Sequence, residues 1–171
     1  MSKNSLITLW LGLTFLFLAV TVSASQRDDE TAIVNALDAE VEALVARSKP
    51  VEWGMKHACL YYAVAGQYLL AKQGIDAALW VGAVIYYPGT SRHHEISPHA
   101  WLETNHYFID YSTLPRWGKT MIIPHNRVAS DPERVNPGFA RVLALHRPVD
   151  YDLIDYLAEH RARFERIVSG R

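Results

Sequence analysis

The chain has 171 residues, 50% of them hydrophobic and 20% charged, the profile of one globular domain rather than of a disordered or fibrous chain. Its 17 Lys and Arg against 18 Asp and Glu leave a formal charge of −1, which supplies no cationic field for phosphate backbones and excludes nucleic acid as an expected partner. The single cysteine, Cys59, rules out an intrachain disulfide, so packing alone must hold the fold.

Residues 1–25 begin with Lys3 near the start, run apolar from Leu6 to Val22 and close on Ser23, Ala24 and Ser25. That order predicts a secretory signal peptide or, since the run falls only a little short of the about 20 residues of a membrane span, an uncleaved N-terminal anchor. On either reading residues 26–171 are exported, periplasmic or secreted, and form one domain with a core over 53–123 and helical flanks. The membrane is a partner only through such an anchor.

In ETAIVNALDAEVEALVARS, the residues Ile33, Val34, Leu37, Val41, Leu44 and Val45 recur at helical spacing, which predicts an amphipathic helix ending near Lys49, before Pro50. HACLYYAVAGQYLLAKQG places Cys59, Ala63, Gly66 and Leu70 on one stripe and meets a stop at Gly74. It is apolar nearly all round, the pattern of a buried central helix with Cys59 near its start. ALWVGAVIYY, residues 78–87, predicts a strand covered on both faces. After the loop PGTSRHHEISP, His99 to Glu103 and Tyr107 to Ser112 read as two strands turned at Asn105-His106, and Met121 to Ile123 adds a short fourth. A Pro-rich link, HNRVASDPERVNPG, precedes predicted helices near Phe139 to Leu145 and Asp152 to Val168. The expected fold class is therefore α+β: a central helix on a small antiparallel sheet, with helical flanks at both ends.

If the hairpin turn is Asn105-His106, Trp101 opposes Asp110 and His99 opposes Ser112, which makes Asp110 the diagonal neighbour of His99 on one face. Polar groups facing a core must be compensated, and both would be if they serve Cys59. A thiol at a helix start gains nucleophilic character from the positive end of the helix and from an imidazole beside it. The carboxylate then holds the imidazole's tautomer and orientation. Backbone N–H groups at the same terminus, with Trp53 as a candidate indole donor, would hold an oxyanion.

The order of a cysteine at a helix start in WGMKHACLYYAVAGQYLLAKQGI, the strand ALWVGAVIYY, then HAWLE and YFIDYS resembles the transglutaminase-like superfamily of cysteine enzymes. Within it these residues resemble the leader-protease type of lasso-peptide biosynthesis. The resemblance covers roughly residues 53–114. It implies a papain-type core in which Cys59 is the nucleophile, His99 the base and Asp110 the orienting acid. It also implies amide hydrolysis or acyl transfer, which needs no metal or organic cofactor, and the expected export makes peptide, protein and peptidoglycan amides the accessible substrates.

Two other readings stand beside this one. The same fold can serve as a catalytically silent binding module of the cell envelope, with Cys59 a small buried hydrophobe, His99 a satisfied core histidine and Asp110 a turn cap before Ser112 and Thr113. Alternatively His93, His94 and His99, with Glu95, form a metal site of a hydrolase. Their spacing lacks the paired histidines one helical turn apart of the helical zinc motif.

Overall fold

The computed structural model describes residues 27–48 and 58–147, together with 158, 159, 162, 163, 165 and 166. The stretch 1–25, Trp53 and most of the predicted C-terminal helix lie outside the described residues; 158, 159, 162, 163, 165 and 166 are helical. Among the described residues no helix is long and apolar enough to cross a membrane. Two compact units divide the chain, residues 1–33 and 34–171. The described part of the first, 27–33, is helical, and everything below concerns the second.

There, helix α1 (Asp38–Ser48) precedes α2 (Ala58–Lys72), which buries Leu60, Tyr61, Ala63, Val64, Ala65, Gly66, Leu69 and Leu70. That is burial on several sides, as its nearly uniform apolarity requires. Gly74, at φ +75°, ends α2 as expected: its N–H donates to Ala71 O at 3.1 Å, and Ile75 N–H donates to Leu70 O at 3.0 Å. These are the paired bonds that satisfy the last carbonyls of a helix closed by a left-handed residue.

A six-stranded sheet follows, in the spatial order β4-β3-β2-β1-β6-β5. Its strands are β1 (Ala78–Tyr86), β2 (His94–Glu103), β3 (Tyr107–Asp110), β4 (Met121–Pro124), β5 (Val128–Ala129) and β6 (Val142–His146). All neighbours are antiparallel except β5 and β6. The α+β class and the short fourth strand stand as expected.

Three expectations are corrected. Val142–His146 is a strand and not part of a helix near 139–145. Its short apolar run carries no period that separates the two states, and β1 offers it a ladder from Gly82 opposite His146 to Tyr86 opposite Val142. β2 begins at His94 rather than at His99, so the connecting loop is shorter than PGTSRHHEISP. β1 is covered on both faces only in its second half, since Ala78 and Trp80 are exposed and Leu79 and Val81 half-buried.

One face of the sheet meets α2 at Gly66, where an added Cβ would stand 2.4 Å from the Tyr111 ring and 3.2 Å from Leu102 Cδ1. Tyr111 has nowhere to retreat, being buried with its hydroxyl donating to Val34 O at 3.2 Å. Gly66→Ala is therefore expected to destabilise the fold by about 1–3 kcal/mol, the usual range for overpacking. Chemical denaturation of the purified variant measures it. The opposite face carries a second core of Val84, Tyr86, Trp101, Phe108, Ile123, Val142 and Ala144.

Candidate active site

The β2–β3 register is the expected one, with Leu102 opposite Ile109 and Glu103 opposite Phe108. Thr104 N–H donates to Tyr107 O at 2.9 Å, closing a two-residue turn at Asn105-His106. Neither turn residue has positive φ. Instead Thr104 Oγ1 accepts the N–H groups of His106 and Tyr107 at 3.2 and 3.1 Å, so a side chain does the work that left-handed backbone does in a primed hairpin turn.

Between Ile96, opposite Val84, and His99, opposite Gly82, β2 carries Ser97 and Pro98 against the single residue Ala83 of β1. This is a β-bulge, and it accommodates a proline that has no N–H to give a ladder. It also reverses the alternation of side chains along β2. Residues 94 and 99 are five apart and would face opposite ways in a regular strand. Here His94 and Ile96 lie on the same face as His99 and Trp101, the face of the second core: Ile96 packs against that core, as does Trp117, which meets His94 edge-on.

On this face His99 and Asp110, both buried, meet directly. His99 Nε2 donates to Asp110 Oδ2 at 2.7 Å. Tyr86 OH donates to the same oxygen, while Asp110 Oδ1 accepts Ser112 N–H at 2.9 Å and Ser112 Oγ–H at 2.7 Å. Asp110 is thus both the imidazole's partner and the cap of the short 3-10 turn Tyr111–Thr113, so the two roles weighed from sequence coexist on different oxygens. Burial would raise the Asp110 pKa, yet the hydrogen bonds and charge of His99, with the donors Tyr86 and Ser112, hold it below the ordinary carboxylate value.

His99 shows the mirror effect. Burial favours the neutral ring, but the hydrogen bond and charge of Asp110, with Cys59 close by, outweigh it and lift the pKa from 6.5 to about 9. Nε2 being taken by Asp110, the other nitrogen, Nδ1, is buried without a hydrogen-bond partner among the described residues. Cys59 sits in the first turn of α2, half-buried, with a free thiol. It acts electrostatically on His99 and also on Tyr86. Of the three residues expected to converge, His99 and Asp110 are hydrogen-bonded to each other, and Trp53 lies outside the described residues.

Tyr86 escaped the sequence reading. A tyrosine at the end of an apolar strand gives no sign of where its hydroxyl goes; the one available signal was that a buried Tyr hydroxyl nearly always needs a partner. Behind His99 stands Trp101, its ring 6.4 Å away and tilted by 16°. Trp101 Nε1–H donates to Glu103 Oε1 at 2.8 Å, and His146 Nε2 meets the same oxygen at 2.9 Å. This fixes the wall against which the imidazole lies.

The proposed histidine metal site does not assemble. Among the described residues no three His, Cys, Asp or Glu side chains are grouped to hold a metal ion. His93 is exposed, His99 is committed to Asp110, and His94 Nε2 accepts from Arg116 Nη1 at 2.8 Å.

A family model described as the transglutaminase-like superfamily matches residues 6–116, more than half of the chain. The chain belongs to the transglutaminase-like superfamily. The match takes in Cys59, His99 and Asp110 and begins inside the apolar run read from sequence as an export signal. No curated protein matches the chain. A solved structure from a genomics effort covers 72% of this chain and 72% of its own at 12% identity, with a TM-score of 0.46, too distant a likeness to bear on function. Transglutaminase-like domains support a cysteine-protease or acyltransferase theme, and nothing in the match extends to the lasso-peptide leader-protease type.

Proposed function

We propose that this transglutaminase-like protein is a cysteine-nucleophile amide hydrolase or acyltransferase, with Cys59 as nucleophile, His99 as acid–base group and Asp110 as orienting acid. The observation that carries the reading is the division of the His99 ring: Nε2 is locked to a buried carboxylate at 2.7 Å, which leaves Nδ1 for the thiol that acts on it. A carboxylate so placed fixes the tautomer and stabilises the imidazolium.

In the proposed reaction the Cys59 thiolate attacks an amide carbonyl and forms a carbon–sulfur bond. His99 Nδ1–H then protonates the amide nitrogen as the carbon–nitrogen bond breaks. Water or a second amine attacks the thioester, His99 takes its proton, and the thiolate is released. Backbone N–H groups of the first turn of α2 are the candidate oxyanion donors. Residues 1–25 are read as an export signal or anchor, so the substrates in reach are peptides, envelope proteins and peptidoglycan cross-bridges.

The test is acylation by p-nitrophenyl acetate followed by intact-mass spectrometry. One acetyl group on Cys59, removed by neutral hydroxylamine and absent in Cys59→Ser, is expected. The same spectrum reports whether residues 1–25 are retained. A Cys59 that reacts no faster in the folded protein than in urea would overturn the enzymatic reading in favour of the silent binding module.

A further inference from the structure

Helix α3 (Leu114–Trp117) is pinned beside the site. Thr113 Oγ1–H is shared between Asp110 O and Lys119 O, each at 2.8 Å, and the same oxygen accepts Met121 N–H at 3.0 Å. Trp117 packs edge-on against Tyr86, ring centroids 5.3 Å apart, and Tyr86 is the residue that bonds Asp110 and feels Cys59. Arg116 is therefore carried on a fixed turn one residue from the wall of the site.

Its only partner among the described residues is His94, an acceptor without negative charge. Burial, then the neighbouring guanidinium, lowers the His94 pKa and keeps that ring neutral. No Asp or Glu among the described residues pairs with Arg116. The planar fork of five N–H groups on a guanidinium suits a carboxylate in bidentate fashion. Here one N–H is spent on fixing the side chain and the positive charge is left uncompensated. The β2 bulge puts His94 on the face that carries His99, and the two rings interact electrostatically.

We infer that Arg116, held in place by His94, is the specificity-determining residue of this site and selects acyl donors that bear a carboxylate beside the amide under attack. The inference rests on the cysteine-enzyme reading and adds a substrate class to it: acidic peptides or amides close to a free C-terminal carboxylate.

Two matched alkylating reagents test it, iodoacetylglycine and iodoacetylglycinamide, which differ only in a terminal carboxylate against an amide. Rates of Cys59 alkylation are followed by intact mass. The folded protein is expected to prefer the anionic reagent by about three- to fivefold, the size of an exposed ion pair. In Arg116→Gln the ratio should fall to near one. Arg116→Lys, which keeps the charge without the fork, should lie between, and Lys119→Gln should retain the preference. A ratio that survives Arg116→Gln, or that Lys119→Gln lowers as far, overturns the inference while leaving the nucleophile intact. If neither reagent labels Cys59 faster than in urea, the underlying reading fails as well, and that outcome is distinct from the other two.

Discussion

Asp110→Ala is expected to cost about 3–5 kcal/mol of stability, the range seen when one member of a buried charge pair is removed. Four donors lose their acceptor at once: His99 Nε2–H and Tyr86 OH on one oxygen, Ser112 N–H and Oγ–H on the other. Of these, His99 and Tyr86 are buried, so water cannot take the carboxylate's place without rearrangement. The turn Tyr111–Thr113 loses its cap as well. Asp110→Asn separates structure from chemistry. It keeps the volume and an oxygen for Ser112, but places an NH2 group against two donors. It should therefore cost less stability than alanine while still slowing Cys59 acylation strongly, because the imidazole loses the acceptor that fixes its tautomer. Thermal unfolding of both variants beside acylation rates checks the pair of expectations; equal acylation rates in Asp110→Asn and the parent chain would remove Asp110 from the mechanism.

His99→Ala has the largest expected effect on chemistry, a fall of about 10²- to 10⁴-fold in acyl transfer, the contribution of a positioned acid–base group. It also has a signature in stability against pH. The folded pKa of His99, about 9, stands above the ordinary 6.5, so the folded state holds this proton more tightly than the unfolded chain. That stabilisation is complete below pH 6.5 and is lost as pH rises through about 9. Asp110 works in the other sense: its pKa is lowered, so its stabilisation is present above the ordinary carboxylate value and fades as pH falls through the lowered one. The parent protein should show its highest melting temperature between those limits. His99→Ala should flatten the alkaline side from pH 6.5 to 9. Turnover should fall above pH about 9, where His99 gives up the proton the leaving amine needs. An unchanged alkaline limb in His99→Ala would show that another group titrates there.

The parts of this site that could be read from sequence are those governed by short-range rules. A two-residue turn fixes hairpin register, and register alone puts Asp110 diagonally across from His99 on one face. An apolar helix that begins near Cys59 and stops at Gly74 is equally local. What escaped depends on distant packing. The front half of β2 contains His94, Ser97 and Pro98, residues that read as loop until a bulge against Ala83 makes room for them. Val142–His146 became a strand because β1 had an open edge. Tyr86 and Arg116 lie 24 and 22 residues from their partners Asp110 and His94, and no periodicity links such pairs.

The extra residue in β2 has a consequence for descent. Because face is a matter of parity, losing either Ser97 or Pro98 would turn the His94 end of the strand and the His99 end away from each other, however well every remaining side chain were preserved. Among relatives, the length of this short segment should then divide chains that couple recognition to reactivity from chains that keep only one of them, and single-residue indels would separate them more sharply than any exchange of amino acids.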